Sequence, residues 1–331
     1  NGEKEKWFSH TLNDCINLPG SMPEKLKGDE VTAKTQWTGS LYDSSYYYNP
    51  YMEKYRKEGN IKFPFFLTPD KHYVGAAWYQ KEVNIPADWK GERILLFLER
   101  PHIETTVWVN GQKTGMQNSL CVPHQYDITR YVRPGKCTIT IRVDNRIKEI
   151  NVGPDSHSIT DQTQGNWNGI VGRICLQTTP KTYFDDIQIY PEPEQKLARV
   201  KVVIKGAGIT KIKLSAESFN TDKKHIVPAI QQEIKLNKGV TETEMVLPMG
   251  NDMLLWDEFH PALYKLKAEV TNGKKTEIKE IQFGMRRFEI KGKWFYVNGR
   301  KTQLRGTVEN CDFPLTGYAP MDVESWERVF R

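Results

Sequence analysis

The chain has 331 residues, of which 38% are hydrophobic and 27% are charged, so it has room for two or three soluble domains. Its 47 basic and 41 acidic residues leave a net charge of only +6, and the basic residues form no runs. We therefore expect no nucleic-acid partner. No membrane span is expected either, because no apolar stretch approaches the roughly 18 residues that a spanning helix requires.

The five cysteines form no CxxC pair and are odd in number, which argues against a disulfide framework. Buried free thiols are the expected state, as for Cys137, which falls in an alternating strand pattern. The isolated His124 and His260 are interpreted as structural, and no spacing of His, Cys and Asp is typical of a metal site. Neither a metal nor another cofactor is predicted.

Short strands are predicted throughout the first region of the chain. The apolar run from Ile94 to Leu98 in "RILLFLER" fits a strand that is buried on both faces. Asn110 and Gly111 in "VWVNGQK" follow a β-rich run and tolerate the positive φ of a tight hairpin turn. In "CTITIRV" the apolar residues alternate with Thr and Arg, which predicts a half-buried strand of a sandwich.

A second sandwich is predicted after residue 190. Pro191 and Pro193 in "YPEPEQK" disfavour both helix and strand, so this segment is interpreted as a linker. The alternating segment "YKLKAEVTNGKKTEIKEI" predicts two strands that are joined by a turn at Asn272 and Gly273. About 90 residues of short strands with turn signals are typical of a seven-stranded immunoglobulin-like sandwich.

The tail changes from strand spacing to helix spacing. The segment "WFYVNGRKTQLRG" predicts a hairpin that turns at its Asn-Gly pair. In "MDVESWERVF" the residues Val323, Trp326 and Phe330 recur at helical spacing. Asp322 is a natural N-cap for this helix. The pattern continues to Arg331 without a stop signal, so we expect the helix to belong to a longer unit.

Several segments together resemble glycoside hydrolase family 2, the group of β-galactosidases, β-glucuronidases and β-mannosidases. They are, in chain order, "WYQKEVNIP", "VWVNG", "DQTQGNWNGIVGRI", "LLWDEFHPALY", "FGMRRFEI", "YVNGRKTQLRG" and "DFPLTGYAPMD". Each is weak alone, but their order and spacing are specific. The resemblance implies an all-β chain with a jelly-roll sugar-binding-like domain at 1–190 and an immunoglobulin-like β-sandwich at 191–283. The residues 284–331 would then begin a (β/α)8 catalytic barrel.

That barrel is expected to be truncated, because it needs about 250 residues and about 50 follow Phe283. Retaining glycosidases use one carboxyl group as acid and another as nucleophile, and the family takes both glutamates from later barrel strands. We therefore assign no catalytic residue and expect the chain alone to be inactive. Arg305 matches the family's "RG" position, and Glu309 and Asp312 follow it as candidate substrate-binding residues. Glu309 is not assigned to catalysis, because it has no partner carboxylate at the required spacing.

Further candidate sugar-binding residues cluster in "DQTQGNWNGIVGRI". Asp161, Asn166 and Asn168 surround Trp167; amide and carboxylate groups bond hydroxyls, and an indole packs on the apolar face of a sugar ring. Alternatively, the Asn-Gly pair is a turn and Trp167 is a core residue. The resemblance favours the sugar site, because this loop often reaches the barrel mouth in the family. Thr163 stands where relatives often have a carboxylate, so the identity of the sugar stays open.

The insertion-like segment "YDSSYYYNPYMEKYRKEGNIKFPFF" is rich in tyrosine. Tyr46, Tyr47 and Tyr48 are candidates for an aromatic rim above the active site, because a phenol offers both a flat apolar face and a hydroxyl. The alternative is that these rings pack against the sandwich, since aromatic side chains are more often buried than used in binding.

Three hypotheses on function remain. The leading one is the N-terminal, non-catalytic portion of a retaining exo-acting β-glycosidase, whose accessory domains shape a site for a terminal β-linked sugar. The alternatives are a freestanding carbohydrate-binding sandwich module and a structural or adhesive β-protein. The amphipathic tail favours the first, because a binding module has no need for such a helix. The start at Asn1, without Met, predicts a processed chain that is secreted or periplasmic; a cytoplasmic location and a homo-oligomer are left open.

Overall fold

The computed structural model describes residues 2–38, 43–64, 67–120, 122–148, 161, 165–308 and 313–331. The chain divides into two compact units. One consists of Asn1–Thr178 and Val308–Arg331, and the other of Thr179–Thr307. Strands predominate in both units, which confirms the prediction of an all-β chain built from β-sandwiches. Among the described residues, no helix has the length and apolar character that crossing a membrane demands.

The first unit is built from short and medium strands. They are β1 (Gly20–Ser21), β2 (Asp29–Glu30), β3 (Lys71–His72), β4 (Ala76–Ile85), β5 (Arg93–Leu98), β6 (Pro101–His102), β7 (Glu104–Val109), β8 (Gln112–Asn118), β9 (His124–Asp127), β10 (Gly135–Asp144), β11 (Gly169–Ile170) and β12 (Ile174–Thr179). Helices are short: α1 (Ser44–Tyr48), α2 (Val323–Phe330), and 3-10 turns at Trp7–Ser9, Pro50–Tyr55, Ala87–Trp89 and Thr129–Tyr131.

Three sheets of this unit have the strand orders β4-β10-β7-β8, β12-β5-β9 and β1-β11-β6, and β2 pairs with β3. The inward side chains of β4, β5, β7, β9 and β10 join in one apolar core, which is the arrangement of a β-sandwich. Residues 94–98 of β5 are all buried, as predicted. A smaller apolar cluster surrounds Tyr46 and Phe63 in the tyrosine-rich segment; Val31, Met52, Tyr55 and Ile61 are among the residues that pack against it.

The apolar face of β10 is buried, as predicted, but its other face is only partly exposed and Thr140 on that face is 1% exposed. The N-terminal segment packs over this side of the sheet. The ring of Phe8 stacks on Trp108 with 5.3 Å between centroids, and Trp7 meets Trp78 edge-on at 6.0 Å. The residues that cover the face lie more than a hundred positions from β10, so the local alternation could not reveal them.

The second unit contains β13 (Tyr183–Glu192), β14 (Leu197–Ser218), β15 (Ile226–Pro248), β16 (Tyr264–Asn272), β17 (Lys275–Phe283), β18 (Phe288–Lys291), β19 (Trp294–Val297) and β20 (Arg300–Thr302). A 3-10 turn at Pro193–Gln195 joins β13 to β14. The strand order is β13-β14-β16-β17, with β15 also paired to β14, and β18-β19-β20 form a separate sheet.

The long strands β14 and β15 run through both layers of this unit. Residues 197–205 of β14 pair with β13, whereas residues 211–218 pair with β16. The pairing of β14 with β15 shifts register between Gly206 and Gly208, where the partner changes. The segments then fall into two groups by their pairing. The first half of β14 pairs with β13 and with the end of β15, which gives three segments; the second half pairs with the start of β15 and with β16, which pairs with β17, and this gives four. All seven segments surround one buried core. This arrangement fits the predicted immunoglobulin-like sandwich.

The prediction of a linker at "YPEPEQK" is wrong. Strand β13 continues through Pro191, which pairs with Ala198, and Pro193–Gln195 forms a tight turn into β14. Within the main sheet of this unit β13 pairs only with β14, and an edge strand tolerates a residue without an N–H. The structure divides at Thr178 and Thr179 and not near residue 190.

The predicted hairpin turns are present, one of them displaced. Asn110 and Asn298 have φ values of 49° and 50°, each followed by a glycine with positive φ, as expected for tight turns. The turn between β16 and β17 lies one residue later than predicted, because Asn272 still pairs with Lys275. The predicted tail helix is α2, and the carboxylate of its N-cap Asp322 accepts a hydrogen bond from a backbone N–H of the first turn. That residues 284–331 form the start of a barrel remains a prediction.

Candidate functional site

Asn168 is buried and anchors the loop that precedes β11. Its side-chain amide donates hydrogen bonds to the carbonyl oxygens of Gly75 (2.8 Å) and Val143 (3.1 Å). Its side-chain oxygen accepts a bond from the Tyr79 hydroxyl (3.3 Å), whose pKa is raised by burial. Both amide hydrogens are thus used within the chain, so Asn168 has no donor for a sugar. The alternative that Asn168 and Gly169 form a turn is wrong, because Gly169 begins β11.

Asn166 is held in a similar way. Its amide nitrogen donates to the Thr38 hydroxyl (2.9 Å), and its side-chain oxygen accepts from Nε2 of His102 (3.0 Å). Because that oxygen is an acceptor, the proton of the neutral imidazole lies on Nε2. Burial lowers the pKa of His102 to about 4, although the bond to Asn166 acts in the opposite direction. His102 is therefore neutral near pH 7 and serves to orient Asn166.

Asp161 lies in the same region with its carboxylate buried. One carboxylate oxygen accepts a hydrogen bond from the backbone N–H of Thr38 (2.5 Å), and the other is 4.0 Å from Nε2 of His72. The backbone carbonyl of Asp161 accepts from the N–H of Leu67 (2.9 Å). Burial raises the pKa of this carboxyl group, and the bonds from Thr38 and the nearby imidazole oppose that rise. The carboxylate is thus positioned by the chain on two sides.

Trp167 is packed between two rings and is 8% exposed. His102 stacks on the indole with 4.5 Å between centroids, and Tyr318 approaches it at 5.5 Å. The Tyr318 hydroxyl donates to a carboxylate oxygen of Glu24 (2.7 Å); burial and this carboxylate both raise the phenol's pKa. A Cβ at Gly317 would lie 2.6 Å from the Cβ of Trp167, so only glycine permits this approach. The segment after residue 312 therefore seals the indole.

A cavity of about 30 Å³ remains beside this cluster. Its lining combines the loop, β3 and the segment after residue 312, and includes His72, Asp161, Asn166, Trp167, Phe313 and Gly317. This volume accommodates water but is far below the roughly 300 Å³ of the smallest typical ligand pockets. Three of the four predicted loop residues, Asp161, Asn166 and Trp167, thus form a preorganised wall of this cavity instead of an open sugar pocket, and Asn168 anchors the loop beside them.

The remaining predicted residues are placed differently. Arg305 belongs to the second unit, where its side chain is exposed. Glu309 and Asp312 lie outside the described residues. The prediction of an aromatic rim is wrong for Tyr46. This residue is fully buried, and its hydroxyl donates a hydrogen bond to the carbonyl oxygen of Tyr55 (2.8 Å). Its ring packs on Phe63 and Tyr47, because this segment needs its own small core. Tyr48 is 78% exposed and Tyr47 is partly buried.

Sequence reasoning missed several residues of the cluster. Thr38, His72, His102 and Tyr318 come from four separate parts of the chain and have no common spacing. The single available signal was the pair of histidines, His72 and His102, and a lone histidine is usually structural. In the part of the chain that the structure describes, no three His, Cys, Asp or Glu side chains are grouped in a way that could hold a metal.

Comparison with known families agrees with this architecture. The family model described as "Glycosyl hydrolases family 2, sugar binding domain" matches residues 23–180. The model described as "Glycosyl hydrolases family 2" matches residues 182–286, so the two together span most of the chain. The chain belongs to glycoside hydrolase family 2. The candidate loop before β11 lies inside the sugar-binding-domain match, and β14 to β17 lie inside the second match.

Curated relatives of this family 2 chain include galactosidases and glucuronidases. The "Beta-galactosidase" of Thermoanaerobacter pseudethanolicus is 25% identical over 281 residues, which are 80% of this chain and 35% of the relative. Human "Beta-glucuronidase" is 25% identical over 279 residues, covering 75% of this chain and 41% of the relative. A "Putative beta-glucuronidase" of Formosa agariphila is 29% identical over 265 residues, covering 78% and 31%. The chain thus spans about a third to two fifths of the length of these relatives.

Solved structures of family 2 proteins share the fold. A family 2 member from Bacteroides cellulosilyticus has a TM-score of 0.61 at 20% identity, covering 88% of this chain and 35% of that one. A β-glucuronidase from Ruminococcus gnavus, solved with D-glucaro-d-lactam, has a TM-score of 0.63 at 18% identity, covering 92% and 46%. At these identities the likeness concerns the fold alone.

Proposed function

We propose that this chain is the N-terminal, non-catalytic part of a retaining β-glycosidase, whose two β-sandwich domains shape the site for a terminal β-linked sugar. The supporting observation is that both family 2 domain matches are present while the chain spans only about a third to two fifths of its relatives' length. Those relatives are named as a β-galactosidase and a β-glucuronidase. The acid and nucleophile carboxylates of the reaction would then lie in a catalytic barrel.

The cluster around Trp167 supports a shaping role and not independent sugar binding. Asn166 and Asp161 are fixed by bonds to the rest of the first unit, and the 30 Å³ cavity beside them is too small for a hexose. Such a wall adds orientation to a site that other parts of a longer polypeptide complete. The residues after 312, which belong to the predicted start of the barrel, already pack against this wall.

We expect the chain alone to turn over no aryl β-galactoside, β-glucuronide or β-mannoside, because the two-carboxylate geometry of a retaining site is absent from its predicted site. A longer polypeptide that continues beyond Arg331 is expected to hydrolyse at least one of them. Release of the aryl alcohol is the measurement for both proteins. Turnover that copurifies with the chain and disappears in Glu309→Gln would contradict the proposal and place the chemistry in this chain.

Binding of free monosaccharides to the chain is expected to be no tighter than about 1 mM, or about 4 kcal/mol, because only one wall of the site is present. Calorimetric titration with galactose, glucuronic acid and mannose measures this affinity. Trp167→Phe and Asn166→Ala test the wall, and Tyr190→Ala, at an exposed tyrosine of the second unit, is the control. Micromolar binding that these two variants abolish and the control retains would instead favour a freestanding carbohydrate-binding module.

A further inference from the structure

A groove of about 840 Å³ lies on the first unit, over the small core of the tyrosine-rich segment. Its apolar lining is formed by Val31, Met52, Tyr55, Ile61 and Phe63. All five belong to the small cluster built around Tyr46 and Phe63, so folding of this segment fixes the floor of the groove. The volume lies within the range of about 300–1,000 Å³ that is typical of ligand sites.

Polar groups without partners surround this apolar floor. Within the part of the chain that the structure describes, no hydrogen bond or ion pair engages the Tyr55 hydroxyl, the Lys62 ammonium or the Asp70 carboxylate. Asn60 uses its amide nitrogen in a bond to the Lys54 carbonyl (2.8 Å), which leaves its side-chain oxygen as a free acceptor. The groove thus offers both hydrogen-bond donors and acceptors at its edge, above an apolar surface.

This combination fits a carbohydrate. A pyranose ring presents an apolar face bordered by hydroxyl groups, and each hydroxyl both donates and accepts hydrogen bonds. The apolar floor matches the ring face, while Asp70 and the Asn60 oxygen accept from hydroxyls and Lys62 donates to oxygens. A polyanion such as nucleic acid fits poorly, because Glu30 and Asp70 both line the groove.

We propose that this groove binds the sugar residues of a glycan that lie beyond its terminal residue. Pro69 lines both the groove and the 30 Å³ cavity next to Asp161, so the two features adjoin on the same surface. A glycan bound in the groove would therefore run over Pro69 towards the loop that holds Asp161 and Trp167. The assignment of a glycan ligand depends on the proposed function, but binding in the groove needs no catalytic barrel.

The test is titration of the chain with β-1,4-linked tetrasaccharides of glucose, galactose and mannose, followed by calorimetry. At least one tetrasaccharide is expected to bind about tenfold more tightly than its monosaccharide. Asp70→Asn is expected to weaken that binding about tenfold, the effect of losing a hydrogen bond to a charged group. Asn60→Ala is expected to weaken it less. Asp88→Asn is the matched control, since it makes the same charge change at an exposed site of the same unit outside the groove.

The inference is overturned if no tetrasaccharide binds below about 10 mM, or if Asp70→Asn and Asp88→Asn bind alike. Failure of the proposed function gives a different pattern. A longer polypeptide that hydrolyses aryl glycosides, while its Asp70→Asn variant keeps the KM for a tetrasaccharide, would refute the groove and leave the function intact. Tetrasaccharide binding that depends on Asp70, without turnover by the longer polypeptide, would retain the groove and refute the glycosidase.

Discussion

Replacing Gly169 with alanine is expected to lower the free energy of unfolding of the first unit by about 3 kcal/mol or more. A Cβ at this position would lie 2.3 Å from the carbonyl oxygen of Gly20 and 2.8 Å from the Cα of Ser21. Both atoms are backbone of β1, which pairs directly with β11, so no side-chain rotation relieves the contact. The strand pair must separate or shift, and Asn168 would shift with it. Urea unfolding followed by circular dichroism measures the loss.

Gly91→Ala is the matched control for this experiment. Gly91 also has a positive φ, of 85°, but an added Cβ there would meet no atom within 4 Å. Its cost is limited to backbone strain, of about 1 kcal/mol. Equal losses in the two variants would show that the close approach of β1 and β11 is not what requires glycine at position 169.

Stability of the first unit is expected to fall as the pH drops from about 6.5 to about 4, with His102 as a main contributor. Burial lowers the pKa of His102 to about 4 in the folded chain, whereas in the unfolded chain this histidine has its ordinary pKa of about 6.5. Between these values the unfolded state binds more protons, so acidification favours unfolding. The stabilisation that comes from the buried, neutral His102 is complete above the pKa of this residue in the unfolded chain, and it is lost progressively as the pH falls to the pKa in the folded chain. For His102 alone, the loss is about 3 kcal/mol.

His102→Gln is expected to remove this part of the pH dependence, because an amide donates to Asn166 without titrating. Other groups also contribute: burial lowers the pKa of His124 and raises that of Asp161, and these act in opposite directions on stability. The difference between wild type and variant cancels both. Unfolding free energies at pH 4, 5, 6 and 7 give this difference, and the exposed His10→Gln is the control. A difference that stays constant across the series would contradict a buried, neutral His102.

Local patterns predicted most of the fold because strand alternation and Asn-Gly turns are local properties. The run at residues 94–98, the turn at Asn110 and the N-cap at Asp322 are all present. The prediction of a linker at Pro191 was wrong, because proline is excluded only from central strands. Whether a strand lies at the edge of a sheet depends on the whole sheet, which local sequence does not show. The partial burial of the outer face of β10 depends on the distant N-terminal segment in the same way.

The candidate loop was predicted as a cluster of polar residues around Trp167, and the structure does bring those residues together. Their role could not be predicted, because it depends on partners from distant segments. Asn166 and Asn168 look available in the sequence, yet Thr38, His102 and the backbone of Gly75 use their amide groups. Whether a polar side chain binds a ligand or its own chain is decided by tertiary contacts, to which a single sequence gives no direct access.

The shared strands β14 and β15 make the two layers of the second unit parts of one cooperative element. Each strand leaves one layer at the register shift near Gly206 and enters the other without an intervening loop. One layer therefore cannot open while the other stays intact, unless a continuous pair of strands is broken in the middle. Amide hydrogens in both layers should then exchange with solvent through the same opening event, with similar protection. A single cut in the β14–β15 turn would leave this coupling in place, because the strands themselves carry it.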